Sequence, residues 1–335
     1  MIDLKSAKQA KQLVDGAQRI VIVQADNPDA DSLGSALAME QILTELGKEA
    51  LLYCAVDMPS YLRYMTGWSR VVGTLPSNFD LVVAVDVSTD TLLEKIVQDA
   101  NYSKYQSADK LILDHHKQVQ NTIDAKVVIN DFSMSSTGEL IFNLCKANEW
   151  PISVESGESI LSSILGDTQG LSNQNTSPDT YRVVADLVEL GVDRMLLEEN
   201  RRKFNRMAES IFRYKGQLIA KTQLFYDDQI AIVTIPQNEI NEYSPLYNPA
   251  ALIQPDTLQV ENVLISIVLK SYSDGKITGA IRSNYKAPIA SKLAEHFGGG
   301  GHDNASGFKI VKDAKVNETL KQVVTEATRL LKELG

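Results

Sequence analysis

The sequence predicts an α/β protein with a parallel-sheet N-terminal domain, a helical linker and a smaller α/β C-terminal domain. Three observations carry this reading. Short β-branched runs alternate with helical patterns through the first half, a long charged helical pattern without proline follows, and the texture changes from Gln229 onward. A length of 335 residues fits two domains of ordinary size. The expected division is 1–190 for the first domain, 191–222 for the linker and 223–335 for the second domain.

Taken in order, Arg19–Gln24 (R-I-V-I-V-Q) reads as a buried strand. Ser32–Leu46 follows with Leu33, Ala36, Leu37, Met39, Ile42 and Leu43 at helical spacing, stopped by Gly47. Ala50–Cys54, Leu81–Asp86, Lys110–Asp114 and Val127–Ile129 read as further strands, giving a parallel sheet with helices on both faces. Ser177-Pro178 has the form of an N-cap with proline at the first helical position, opening a helix over Asp179–Leu190. Asp193–Lys221 reads as one long connecting helix, with the domain boundary near Leu190–Lys203. Beyond it, Ile230–Ile235, Val263–Lys270 and Ile277–Ser283 read as strands, and Ile289–Phe297 and Val316–Leu334 as helices.

Composition narrows the function. The net charge of −10 provides no global positive field for a long nucleic-acid duplex, so a nucleic-acid ligand must be short and locally held. Two cysteines, Cys54 and Cys145, exclude a disulfide scaffold and a four-thiolate zinc site. With only four histidines, metal chemistry must lean on carboxylates. No apolar run is long enough to span a membrane and the first residues lack a secretory layout, so a cytoplasmic location is expected.

In a parallel sheet, ligands gather beyond the carboxyl ends of the strands, and acidic residues cluster there. Asn27-Pro28-Asp29-Ala30-Asp31 follows the first strand, Asp86 closes another, and Asp114-His115-His116 closes a third. Gly166-Asp167-Thr168 follows the apolar run Ile160–Leu165. Two carboxylates two residues apart can turn toward one point, and imidazole is a common metal ligand. A two-metal carboxylate/histidine centre accounts for all of these residues together. In the second domain, Gly298-Gly299-Gly300-Gly301-His302 can expose consecutive backbone N–H groups as an anion nest, with Arg282-Ser283 ending the preceding strand.

The order N-P-D-x-D, strand-end Asp, D-H-H, D-T and G-G-G-G-H resembles the DHH phosphoesterase superfamily with its DHH-associated C-terminal domain. Within it the chain is most similar to the bifunctional oligoribonuclease and pAp phosphatase (nanoRNase) branch. The similarity extends to Ser135-Ser136-Thr137-Gly138-Glu139, to Asn175-Thr176-Ser177-Pro178 and to Gly279-Ala280-Ile281-Arg282-Ser283. The resemblance implies a dinuclear Mn²⁺ or Mg²⁺ centre with Asp29, Asp31, Asp86, His115 and Asp167 as ligands, Asp86 bridging. It places His116 beside the scissile phosphate and Asp114 behind the histidine pair, orienting it. Arg282, Ser283, Gly299, Gly300, Gly301 and His302 would hold a terminal phosphate or base of the substrate across an interdomain cleft. The implied substrates are short RNA oligonucleotides, linear dinucleotides or 3′-phosphoadenosine 5′-phosphate, and a homodimer is compatible with the chain.

Two positions depart from the family pattern. The histidine that usually opens the first motif falls on Ala25, so one metal site is expected to be weakened unless Asp26 or Gln24 fills in. Asp167-Thr168-Gln169-Gly170-Leu171 stands where D-T-G and an aromatic residue are usual. Two alternatives therefore accompany the phosphoesterase reading: a catalytically weakened nucleotide-binding protein, motivated by Ala25, and a hydrolase like the inorganic pyrophosphatases. The glycine run disfavours the second, because those relatives use a basic pair in its place.

Overall fold

Alternating burial explains why the first strands form. In Arg19–Val23, Ile20 and Ile22 face one apolar cluster while Val21 and Val23 face another, so the strand is covered on both sides. A computed structural model describes residues 2–116, 121–204, 206–244, 247–312 and 314–334, without the side chain of His302. The chain forms two compact units, Met1–Arg206 and Met207–Gly335.

The first unit contains α1 (Leu4–Gly16), β1 (Arg19–Val23), α2 (Ala30–Glu45), β2 (Glu49–Tyr53), β3 (Leu81–Val85), α3 (Tyr102–Ser107), β4 (Asp109–Asp114) and β5 (Val127–Asn130). It continues with α4 (Thr137–Asn148), α5 (Val154–Asp167), α6 (Pro178–Leu190) and α7 (Arg194–Phe204). Its sheet is parallel throughout, in the order β2-β1-β3-β4-β5. From β1 the chain runs outward to β2 on one side, and β3 takes up the other side. The loops leaving β1 and β3 therefore diverge at a topological switch point, the usual location of a ligand site in such sheets. Leu33, Leu37, Leu140, Ile160 and Ile164 from α2, α4 and α5 are buried against Ile20, Ile22, Val83 and Leu113.

The expected strands and the Ser177 cap form as read. Ser177 Oγ accepts from the backbone N–H of Thr180, whose own hydroxyl accepts from the Ser177 N–H, closing a capping box ahead of Pro178. Two readings are corrected. The apolar run Ile160–Leu165 lies inside α5, so Asp167 arrives from the end of a helix and not from a sheet edge. The single helix expected over Asp193–Lys221 is two helices, α7 and α8 (Glu209–Lys221), and the division into units falls between them. None of α7's residues is buried, whereas α8 buries Ile211, Tyr214 and Leu218. The two helices thus lack a shared apolar stripe, and charge periodicity alone could not show that.

After α8 the second unit contains β6 (Gln223–Phe225), β7 (Ile230–Pro236), α9 (Gln237–Tyr243), α10 (Pro249–Thr257), β8 (Ile265–Ser271) and β9 (Ile277–Ser283). It ends with α11 (Ala290–His296), β10 (Gly300–His302), β11 (Ala305–Ile310) and α12 (Val316–Leu334). The strand order is β10-β11-β9-β8-β7-β6, antiparallel except for the β7–β8 pair. Ile267, Ile281, Leu293 and Val323 fill one face of this sheet, and Tyr214, Val233, Ile253 and Val268 fill the other.

Candidate metal centre

Each acid of the first unit is positioned by a different piece of backbone. Asp29 is the N-cap of α2, its Oδ1 accepting from the Ser32 N–H at 3.0 Å. Asp31, in the first turn of the helix, is fully buried. Its Oδ2 accepts from the Thr137 N–H at 2.8 Å, and its Oδ1 accepts from Ser163 Oγ at 2.6 Å, Ser35 Oγ at 2.9 Å and the Gly138 N–H at 3.3 Å. Thr137 and Gly138 open α4, so this carboxylate sits on a helix N-terminus, where orphan N–H groups and the helix dipole favour negative charge.

Asp86 follows β3 and takes a left-handed backbone, φ +58°, while its N–H still donates to the Leu113 carbonyl at 2.9 Å. That conformation turns the side chain out of the strand's alternation, and its Oδ1 accepts from Thr137 Oγ1 at 3.3 Å. Aspartate tolerates this region better than most residues. Asp167 is delivered by the last turn of α5. Gly166 permits it, since a Cβ at that position would lie 2.6 Å from the Ala30 Cβ.

The Asp-His-His triplet divides its work. Asp114 is buried, and its Oδ1 accepts from the His115 N–H at 2.8 Å, the His116 N–H at 3.3 Å and His116 Nδ1 at 2.8 Å. Its Oδ2 accepts from Ser88 Oγ at 2.6 Å. Burial raises its pKa, but the His116 and Ser88 hydrogen bonds outweigh burial and hold it at about 2. His115 directs Nδ1 at the Met134 carbonyl, 3.3 Å away. Because a carbonyl only accepts, Nδ1 carries the proton there.

His115 Nε2 is thereby turned onto three carboxylates: Asp167 Oδ2 at 3.0 Å, Asp31 Oδ2 at 3.3 Å and Asp86 Oδ1 at 3.8 Å. It is buried and has no hydrogen-bond partner of acceptable geometry among the described residues. A lone pair facing carboxylate oxygens is unfavourable unless a proton or a metal cation stands between them. With a proton there, burial lowers the His115 pKa, but Asp167 and Asp31 beside it outweigh that and lift it to about 9. Burial and the neighbouring negative charges of Asp31, Asp29, Asp167 and Asp114 push Asp86 well above the carboxylate range. Burial likewise lifts Asp29 to about 6, with Asp31 and Asp167 adding to the effect.

The donor set suits divalent cations. Asp31, His115 and Asp167 present ligand atoms within 4.8 Å of one another, and so do Asp86, His115 and His116. Asp29 stands outside both groups, its carboxylate engaged at the Ser32 cap, though near enough for its charge to act on Asp86. Asp31, Asp86, His115 and Asp167 are thus brought together, and His116 joins them. Ala25 lies in the apolar cluster on the sheet's other face, with Val23, Tyr53 and Val87. Asp26 Oδ2 accepts from the Lys95 N–H at 2.8 Å, and Gln24 is buried.

The second-unit residues are placed by β9 and β10. Arg282 is exposed and Nη1 donates to the Ile281 carbonyl at 3.2 Å, while Ser283 is buried and Oγ donates to the Asp303 carbonyl at 3.1 Å. The glycine run does not form an open loop. Gly298 and Gly299 donate their N–H groups to Glu295 and Ala294 at the end of α11, and Gly300, Gly301 and His302 form β10 beside β11. A Cβ on Gly299 would lie 2.1 Å from the Gly307 carbonyl oxygen, so close strand packing requires glycine there. Two of the amides expected to form a nest are occupied by the helix terminus. The side chain of His302 lies outside the described residues.

Residues 19–166 match the DHH family, N-terminal domain, and residues 253–329 match the DHHA1 domain. The chain carries a DHH domain followed by a DHHA1 domain. The bifunctional oligoribonuclease and PAP phosphatase NrnA of Thermus thermophilus is 27% identical over 319 residues, covering 92% of this chain and 90% of that protein. The protein of the same name from Bacillus subtilis is 23% identical, covering 91% of this chain and 94% of that protein. Among solved structures, an exopolyphosphatase-related protein from Bacteroides fragilis aligns over 99% of both chains with a TM-score of 0.84 at 23% identity, which shows a shared fold. Several groups that build this centre carried no signal of their own in the sequence. Ser163, Ser88 and the Met134 carbonyl act through contacts, and Thr137 stood only in a stretch shared with the family.

Proposed function

We propose that this chain is a metal-dependent phosphoesterase that hydrolyses short oligoribonucleotides and 3′-phosphoadenosine 5′-phosphate. The chain is a hydrolase acting on ester bonds. The observation that carries this reading is the convergence of Asp31, Asp86 and Asp167 on the buried Nε2 of His115, from three separate segments. Asp31, Asp86, His115 and Asp167, with Asp29 at the rim, would hold Mn²⁺ or Mg²⁺. When bound, such ions stabilise charge on the phosphoryl oxygens and lower the pKa of water.

The chain's own groups do the rest. His116 is about half exposed, with Nδ1 held by Asp114, so its Nε2 is left to hand a proton to the leaving oxygen. The Asp114 hydrogen bond raises the His116 pKa against the effect of burial, which favours the protonated ring. Arg282, Ser283, Gly300, Gly301 and His302 bind the terminal phosphate or base. The net charge of −10 favours short nucleotides over long polynucleotides. No helix of the described residues is long and apolar enough to cross a membrane, and both cysteines are buried free thiols. The free thiols support a cytoplasmic setting.

Ala25 motivates a second reading, a nucleotide-binding protein with weakened catalysis. The test is Mn²⁺-dependent turnover of a labelled diribonucleotide, compared with 3′-phosphoadenosine 5′-phosphate and pyrophosphate. Turnover of the first two is expected. Tight nucleotide binding without turnover would favour the second reading, and preference for pyrophosphate would overturn both.

A further inference from the structure

The loop before α4 and the first turn of that helix supply polar groups to three members of the metal centre. Met134 offers its carbonyl to His115 Nδ1, Thr137 and Gly138 give their N–H groups to Asp31, and Thr137 Oγ1 donates to Asp86. That loop is itself held by a residue with no place among the ligands. Glu139 is 1% exposed, and its Oε2 accepts from the Ser135 N–H at 3.0 Å, from Ser135 Oγ and from Thr180 Oγ1 at 2.9 Å. Thr180 is fully buried in the first turn of α6 and accepts from the Ser177 N–H at 3.1 Å. The carboxylate therefore ties the start of α6 to the residue that follows Met134.

We propose that Glu139 is a positioning residue for His115: by clamping Ser135 between α4 and α6 it fixes the Met134 carbonyl, and with it the proton on Nδ1 and the lone pair on Nε2. All three donors converge on Oε2, while Oε1 is buried without a hydrogen-bond partner among the described residues, so losing this one acceptor strands three donors together. Without the clamp the Met134 carbonyl can rotate away, and the His115 ring loses its orientation and its single tautomer. Residues behind a metal-ligating histidine act on affinity in this manner. The proposal rests on the metal-centre reading and adds to it a residue that touches neither metal nor substrate.

The test uses the full chain and two readouts besides turnover. The first is Mn²⁺ binding by calorimetry. Glu139→Ala should weaken it by about 10- to 100-fold, Thr180→Val by less, and Glu139→Gln should recover most of it, since a carboxamide oxygen keeps two of the three donors. The second is ¹H–¹⁵N spectroscopy of the His115 Nδ1–H, the proton that faces the Met134 carbonyl, in metal-free protein at pH 7. The parent and Glu139→Gln should show a slowly exchanging Nδ1–H held by the Met134 carbonyl, and Glu139→Ala one that exchanges faster. If Glu139→Ala does not fold, Thr180→Val carries the same comparison at smaller amplitude. Unchanged Mn²⁺ affinity and Nδ1–H exchange in folded Glu139→Ala, or in Thr180→Val where only that variant folds, would overturn the proposal. Failure of the parent to bind Mn²⁺ would instead overturn the metal-centre reading.

Discussion

Asp114 holds His116 by its Nδ1, 2.8 Å from Oδ1, while its other oxygen is held by Ser88 at 2.6 Å. A buried carboxylate with both oxygens engaged cannot swing toward a metal, so its effect on the reaction passes through the imidazole. This separates the two histidines of the triplet: His115 looks inward at carboxylates and His116 outward at solvent.

His116→Ala should lower kcat by about 10²- to 10⁴-fold, the usual contribution of a positioned general acid, with KM little changed. Asp114→Asn should cost about 10- to 100-fold and shift the basic limb of the pH–rate profile toward acid, because the imidazolium loses its carboxylate. Turnover near that of the parent in His116→Ala would assign the proton donor elsewhere.

Asp86→Ala and His115→Ala should each abolish metal-dependent hydrolysis, with losses beyond the 10–100-fold of an outer-shell change, and leave the circular dichroism of the folded chain intact. Each residue lies past the end of a strand, outside the apolar clusters. Substantial turnover in either variant would sink the carboxylate/histidine centre.

Metal-free protein should lose thermal stability as pH rises from 5 to 9. Asp29 is lifted from its ordinary 3.8 to about 6, and His115 from 6.5 to about 9. A group whose folded pKa is raised binds more protons in the folded state, so its stabilisation is full below the unfolded pKa and lost as pH climbs through the folded one. The two windows join across this range, and Asp86 adds to the same slope. Asp114 runs the opposite way, but its window lies between pH 2 and 3.8, below the measurement. Saturating Mn²⁺ should flatten the dependence of Tm on pH, because cation replaces proton. A Tm that rises from pH 5 to 9 in chelator would contradict this account.

Ala25→His should leave half-maximal activity at the same Mn²⁺ concentration, because position 25 lies in the apolar cluster on the sheet's other face. The larger ring enters a cluster where Ala25 is 5% exposed, beside Tyr53 and Val87, so Tm should fall by the equivalent of about 1–3 kcal/mol of overpacking. A shift of half-maximal activity to lower Mn²⁺, about tenfold for about 1.4 kcal/mol of added binding, would show that position 25 reaches the metal.

Arg282→Ala should raise KM for a dinucleotide more than it lowers kcat. A remote phosphate contact is made equally in ground and transition states. Collapse of kcat at constant KM would place Arg282 at the reacting phosphate.

The sheet was legible because β1, β3 and β4 are apolar on both faces and end in acids, which marks them in one dimension. The acids themselves were legible for the same reason. What the sequence hid was delivery from helices. Asp167 followed an apolar run that strand and helix readings share, and only its packing through Gly166 against Ala30 brings it to Asp31. The break between α7 and α8 was hidden by charge periodicity that continues through it. In the glycine run, composition permits a nest and close strand pairing equally. The approach of Gly299 to the Gly307 carbonyl favours the second for that residue.

The left-handed backbone of Asp86 has an evolutionary consequence. At φ +58° the residues that fit with least strain are glycine, asparagine and aspartate itself. From either aspartate codon, both alternatives are a single base change away. A descendant that keeps the fold and gives up the central carboxylate is therefore among the nearest genetic neighbours of this enzyme. Such a lineage would drift toward binding without hydrolysis while its strands and helices stayed intact.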